Sequence, residues 1–199
     1  TDSPTNNFCT LNPLDNNDVV LSEGNLTFDT TTSGADEAVR GTMGVQNGKW
    51  YYECTITHSA GMSAGNLGYS RPEVPITAGP ASVLGLFANG SSSFGLYNNS
   101  SGKTELDGDA GIVQNDVIGV ALDLDNGTIS YYRESSIMGS AQSINASILG
   151  DFLLPVMLDD GGVNDVAGHF NFGNPTVALD SGNADANGYG NFEHAPPTG

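Results

Sequence analysis

The sequence predicts an all-β fold, a sandwich of antiparallel sheets, and three observations carry that expectation. Asp116 to Arg133 reads D-V-I-G-V-A-L-D-L-D-N-G-T-I-S-Y-Y-R, apolar and polar residues alternating on both sides of Asn126-Gly127, the pattern of a hairpin. Lys49 to Thr57, K-W-Y-Y-E-C-T-I-T, alternates in the same way. No long stretch has helical spacing, and short apolar runs are separated by Gly, Asn and Ser turns, which favours a sandwich over a mixed fold. A chain of 199 residues can bury a substantial core.

The hairpin fixes the rest. Asn-Gly suits a two-residue type I′ turn, because both central residues there need positive φ. Folding about that turn pairs Leu124 with Ile129, Leu122 with Tyr131 and Val120 with Arg133 on one face. Ala121 against Tyr132 and Asp123 against Ser130 form the other face.

Along the chain, Phe8 to Pro13 gives the first apolar anchors, and Leu26 to Phe28 and Ala38 to Val45 read as short strands. In the Lys49 strand, Trp50, Tyr52, Cys54 and Ile56 share the core face, with Trp50 and Tyr52 expected to be buried against Leu122, Leu124 and Ile129. Residues 58–81 read as irregular, with Pro72, Pro75 and Pro80 and only a short apolar piece at Leu67 to Tyr69. Val83 to Phe87 and Ser93 to Tyr97 are the next strands, about an Asn89-Gly90 turn. After Arg133 a small-residue loop leads to one helical turn at Ile144 to Leu149, then an apolar strand at Phe152 to Leu158 and a last one at His169 to Gly173. The organisation expected is an N-terminal segment (1–37) packing on or leading into the sandwich, the sandwich itself (38–178), and a Gly/Asn-rich C-terminal linker or tail (179–199).

The formal net charge is -18, from 5 basic and 23 acidic side chains. Arg40, Lys49, Arg71, Lys103 and Arg133 are scattered, so no basic stripe exists to hold phosphates, and so negative a field repels polyanions. Nucleic acid is excluded as a partner. So is insertion into a membrane, because no uncharged run approaches the roughly 20 apolar residues of a span. The charge suits a protein that stays apart from its copies at high concentration, with a saline habitat as the narrower reading. Thr1 is not methionine, so the chain reads as processed or as a piece of something longer.

Motifs for chemistry are weak. Cys9 and Cys54 make no disulfide framework, and Cys54 reads as a buried free thiol. Gly61 to Gly65 spells G-x-S-x-G, but a nucleophile elbow needs a helix after the serine, and none is patterned there. Asp123, Asp125 and Gly127 fail the register of a calcium loop, although a surface calcium held by Asp159, Asp160 or the D-G-D near Asp107 stays open. His58, His169 and His194 lack zinc-ligand spacing. No cofactor and no catalytic residue is assigned.

Four segments in fixed order complete the reading: G-K-W-Y-Y-E (Gly48 to Glu53), S-F-G-L-Y (Ser93 to Tyr97), the D-x-D-x-G hairpin (Asp116 to Tyr132) and L-L-P-V (Leu153 to Val156). Together they resemble the SPRY domain, also called B30.2, over roughly Val39 to Gly173, with Tyr52 where many members carry tryptophan. The resemblance implies a bent sandwich of two antiparallel sheets whose loops form a recognition face. F-C-T-L-N-P-L-D near the start and G-Y-G-N-F-E-H-A-P-P-T-G at the end are similar to SPRY-containing proteins of tailed bacteriophages, marine ones especially.

The function expected from that resemblance is a non-enzymatic virion protein of the phage surface: a tail fibre, spike or capsid decoration assembled in the bacterial cytoplasm. Its sandwich would bind a host-surface glycan or protein or a neighbouring virion protein, as a homo-oligomer, trimeric if part of a fibre. The alternatives are a tailspike-like glycan depolymerase using paired carboxylates and an adaptor binding a peptide. The resemblance places recognition on loops at one edge, and the residues chosen there are Arg71, Tyr97, Asn98, Asn99, Asp159 and Asp160.

Overall fold

The computed structural model describes residues 7–30, 36–58, 62, 64–79, 82–89, 94–98, 103–107, 111–161 and 165–198. Among them every named element is a strand. One sheet has seven strands, in the spatial order β1 (Leu11–Asn17), β4 (Asp36–Gly41), β14 (Leu154–Asp160), β6 (Ala64–Ser70), β7 (Leu84–Asn89), β8 (Phe94–Asn98) and β9 (Lys103–Asp107). The second has eight: β12 (Ser136–Ile137), β11 (Thr128–Arg133), β10 (Val117–Asp123), β5 (Lys49–Ile56), β15 (Ala167–Asn171), β3 (Thr27–Asp29) and β2 (Val20–Ser22), with β13 (Gln142–Ser143) also on β11. Every pairing described is antiparallel. The N-terminal segment therefore supplies edge strands to both sheets.

The core lies between the two sheets. Tyr52, Cys54 and Ile56 of β5, Ile118, Val120 and Leu122 of β10, and Ile129 and Tyr131 of β11 are buried from one side. Val39, Leu67, Tyr69, Leu86, Leu96 and Met157 meet them in a single cluster. Tyr52 ties the layers together: its ring lies 5.7 Å from Tyr69 and 5.5 Å from Phe170. Its hydroxyl donates to the Gly68 carbonyl across the core at 3.0 Å, so the aromatic body and the polar tip are both satisfied. Cys9 and Cys54 are free thiols, Cys54 fully buried, and burial pushes the Cys54 thiol well above its ordinary pKa.

The hairpin forms with a different turn from the one its dipeptide suggests. Leu122 pairs with Ile129, Val120 with Tyr131 and Ile118 with Arg133, two residues away from the expected register. The loop is four residues, Leu124 to Gly127, and of Asn126 and Gly127 only Gly127 has positive φ, at 65°. Asp123 explains this: its carboxylate accepts from the Asn126 backbone N–H at 2.9 Å and from the Asn126 side chain at 2.7 Å. That side-chain turn competes with the two-residue one and closes a wider loop. Because side chains alternate with period two, a shift of two leaves every residue on its expected face.

Other elements differ too. Residues 64–70, expected as irregular, form β6, a central strand between β14 and β7. Its glycines hide the alternation, yet Gly68 has a reason to be glycine, since a Cβ there would collide with the Leu84 carbonyl. Asn145 to Gly150 is a run of turns, with Ile148 N–H on the Asn145 carbonyl at 3.0 Å, and not a helical turn. Gly90 lies outside the described residues.

Residues 179–198, expected as a linker or tail, fold back over the outer face of the second sheet. The short pair β16 (Asn183–Ala184) and β17 (Asn191–Phe192) presents Phe192, buried, to Tyr51 at a centroid distance of 5.1 Å. The buried Glu53 carboxylate accepts from the backbone N–H groups of Glu193 and His194, each at 2.8 Å. Tyr51 hydroxyl (3.1 Å) and Asn171 amide (3.3 Å) complete its shell.

Candidate recognition face

One end of the sandwich gathers three loops and two strand ends. Residues 42–48 enter β5, and Val45 exchanges both backbone bonds with Leu153 ahead of β14, at 2.9 and 2.8 Å. Gln46 donates to the Gly150 carbonyl. Gly48 N–H reaches the Asp125 carboxylate at 2.8 Å, and Leu124 N–H reaches the Gly48 carbonyl at 3.0 Å. The Gly127 carbonyl accepts from Ile144 N–H at 2.8 Å. Asn98, ending β8, donates to the Ser143 carbonyl at 2.8 Å and accepts from Asn145 N–H at 2.9 Å. Arg71, following β6, pairs with Glu73 at 3.1 Å and Asp151 at 3.6 Å. The loops thus form a braced surface.

That surface is unusually apolar for so acidic a chain. Trp50 is 48 % exposed and Phe152 55 %, with Met43 and Leu149 also exposed. Phe152 lies 3.7 Å from the space a Cβ on Gly44 would fill, and Leu149 lies 3.3 Å from the equivalent space at Gly127. Trp50 holds its position through its indole N–H, which donates to the Asn47 carbonyl at 2.7 Å. Beside it opens a pocket of about 110 Å³ lined by Phe8, Met43, Val45, Trp50 and Tyr51 among others. The carboxylates at this end are engaged: Asp123 with Lys49 at 3.3 Å and with Asn126, Asp125 with Gly48, Asp151 with Arg71.

Trp50 corrects the expectation of burial. It sits on the core-facing side of β5, opposite Leu122, but near the start of the strand, where the sandwich has ended. Tyr52, two residues further in, is 1 % exposed. Alternation reports a side chain's direction and is silent on whether anything stands opposite it.

The six chosen residues do not form one site. Arg71 and Asn98 reach the braced end, with Tyr97 half-buried one position inside β8. Leu154, not Asp159, lies opposite Ser70, so Asp159 and Asp160 stand at the far end of β14, roughly 17 Å away at the usual rise per residue. Asp159 is buried and accepts from the Thr30 hydroxyl at 3.0 Å. Asp160 is half-buried opposite Asp36, and burial, then the Asp36 charge, raises its carboxyl above the usual range. Asn99 lies outside the described residues, as do Gly61 and Ser63 of the G-x-S-x-G stretch. The residues after Ser63 form strand β6 where an elbow requires a helix.

Residues 49–175 match the SPRY domain family. No curated protein matches the chain. Among solved structures, the SPRY domain of human HERC1 superposes with a TM-score of 0.62 at 18 % identity, covering 80 % of this chain and 96 % of that one. The PSpry domain of TRIM65 gives 0.61 at 20 % identity, covering 82 % and 92 %. Both likenesses concern the fold. The family match opens at β5 and closes after β15, leaving the N-terminal edge strands and the folded-back C-terminal segment outside it.

Proposed function

As a member of the SPRY domain family, the chain is built as an interaction module, and we propose that it is a non-enzymatic recognition protein that docks a partner protein on the Trp50 end of its sandwich. The observation that carries this reading is the half-exposed Trp50, grouped with Phe152, Met43 and Leu149 on loops locked to one another. Exposed tryptophan on a rigid, mainly apolar surface is where binding energy concentrates in protein interfaces. Every carboxylate named there is paired or hydrogen-bonded, which supports binding over acid–base catalysis of glycan cleavage. Asn98 and Arg71 belong to the rim of this surface; Asp159 and Asp160 do not.

The finer part of the reading is a virion protein of a tailed phage, as fibre, spike or decoration, whose partner is a neighbouring virion protein or a protein of the host surface. It is supported by the phage-like flanks at Phe8 to Asp15 and Gly188 to Gly199 and by the acidic surface. Trp50→Ala combined with Phe152→Ala is expected to lower binding to virions and host cells by about ten-fold or more, with Tm nearly unchanged. Parental binding by that variant would remove this face from the reading. Immunogold labelling of intact particles tests location separately: unlabelled particles overturn the virion placement and leave the docking face standing.

A further inference from the structure

The folded-back C-terminal segment does more than cover the sheet. Between it and the outer face of β5, β10 and β15 lies a cleft of about 380 Å³, within the size range of small-molecule sites. Its floor is a cross-strand row: His169 is opposite Thr55, and Thr55 is opposite Val117. These side chains point away from the core because Cys54, Ile56 and Phe170, their chain neighbours, point into it. Asn115 borders the same floor, and Pro175, Val177 and Leu179 form the wall. Among the described residues, no lysine or arginine lines this cleft.

The lining carboxylates are mostly occupied. Glu53 accepts four hydrogen bonds. Glu193 accepts from the N–H groups of Asp180 and Ser181, at 2.8 and 3.1 Å. Glu134 accepts from Val117 N–H at 3.0 Å and meets His194 Nε2 at 2.8 Å. What remains unengaged among the described residues is the imidazole of His169, the hydroxyl of Thr55, the amide of Asn115 and the carboxylate of Asp180. Burial lowers the His169 pKa, so that ring is neutral at physiological pH and both donates and accepts.

We propose that this cleft binds a neutral pyranose unit, its hydroxyls held by His169, Thr55, Asn115 and Asp180 and its C–H face against Val117, Pro175 and Val177. The chemistry selects this class. An anion is repelled by Glu53, Glu134, Asp180 and Glu193 with no lysine or arginine among the described lining residues to offset them, and a cation finds only one carboxylate there not already engaged. A ring with hydroxyls on its edge and C–H groups on its face meets both halves of the lining. Pro175 and Val177 stand just ahead of the folded-back segment, which itself brings Leu179, Asp180, Glu193 and His194 to the cleft, so the site is complete only while that segment is docked.

The test is an NMR titration of the ¹⁵N-labelled chain with methyl glycosides of glucose, galactose, mannose and N-acetylglucosamine. At least one should move the amides of Thr55, Asn115, His169 and residues 176–180 in a saturable way. His169→Ala, or Thr55→Val should that variant fail to fold, should weaken the response by about ten-fold. Phe192→Ala, which removes the segment's buried anchor outside the cleft, should weaken it several-fold. Trp50→Ala should leave it intact, which separates this site from the docking face. No response to any glycoside overturns the proposal. So does a response confined to the Trp50 end, or one given by Nα-acetyl-lysine methylamide or inorganic phosphate and by none of the sugars.

Discussion

At the scale of single residues, neighbours of the same type play opposite parts. Trp50 and Tyr52 face the same way on β5, yet only Tyr52 has a second layer above it. Tyr52→Phe should cost about 1–3 kcal/mol in denaturant unfolding, because it leaves the buried Gly68 carbonyl without its donor. Trp50→Ala should move stability by no more than about 1 kcal/mol, as exposed positions do. If the two variants lose stability equally, the division between core and docking surface is misplaced. Gly127 gives a third case. A valine there would take a β-branched side chain to positive φ and press on Leu149. The expected loss is about 1–3 kcal/mol, read as a lower Tm.

At the scale of elements, the folded-back C-terminal segment hangs on Glu53. Burial raises the Glu53 carboxyl above its ordinary value, against the opposing pull of the two backbone N–H groups and Tyr51. The folded protein therefore holds that proton more tightly than the unfolded chain does. Its contribution favours folding below the ordinary carboxyl range and is lost as pH rises through the raised pKa. The Tm difference between the parent and Glu53→Gln should accordingly shift against the parent as pH climbs from about 4 to 7. In the same variant the Glu193 and His194 amides should exchange with deuterium faster, while those of β10 and β11 keep their protection. Unchanged exchange at Glu193 and His194 would mean that the segment is held by something other than this carboxylate.

Elements also show what was legible in the sequence. Strands with a clean period of two, β5, β10 and β11, could be read with the right face inward, because alternation is a local consequence of the pleat. The turn between β10 and β11 could be located but not typed, since Asp123 lies outside the dipeptide that signals it. β6 was obscured because Gly65 stands at a core-facing position and Gly68 interrupts the other face between Leu67 and Tyr69, and the close approach of Leu84 that requires Gly68 comes from the next strand, outside the segment itself. The candidate site was legible only in part. Arg71 follows and Asn98 ends strands that finish together, but Asp159 lies near the end of one running the other way, and strand direction in a sheet of non-sequential neighbours is not written locally. Trp50 and Phe152 were missed because their exposure depends on where the opposite layer stops.

At the scale of the whole molecule, electrostatics sets the conditions under which both surfaces work. Of the cations, Arg40, Lys49, Arg71 and Arg133 each sit against a carboxylate, so the acid excess behind the net charge of -18 has little local compensation. Like charges spread over a compact body repel one another, and unfolding relieves that repulsion. Salt screens it: the Debye length falls from roughly 30 Å at 0.01 M to about 3 Å at 1 M. The Tm should therefore rise by several degrees as sodium chloride goes from about 0.01 to 1 M. Arg40 should behave differently from the rest, since it is 3 % exposed, its Nη1 donates to both Asp15 oxygens at 3.0 Å, and it is bonded to Ser70 and the Val74 carbonyl. Removing it leaves the buried Ser70 hydroxyl and the part-buried Asp15 carboxylate and Val74 carbonyl without their donor, so Arg40→Ala should lose about 3 kcal/mol, and salt should restore little of the loss because the guanidinium itself is buried. A Tm that falls with salt would show that the surface ion pairs outweigh the general repulsion. An Arg40 variant rescued by salt would place that residue among the surface charges.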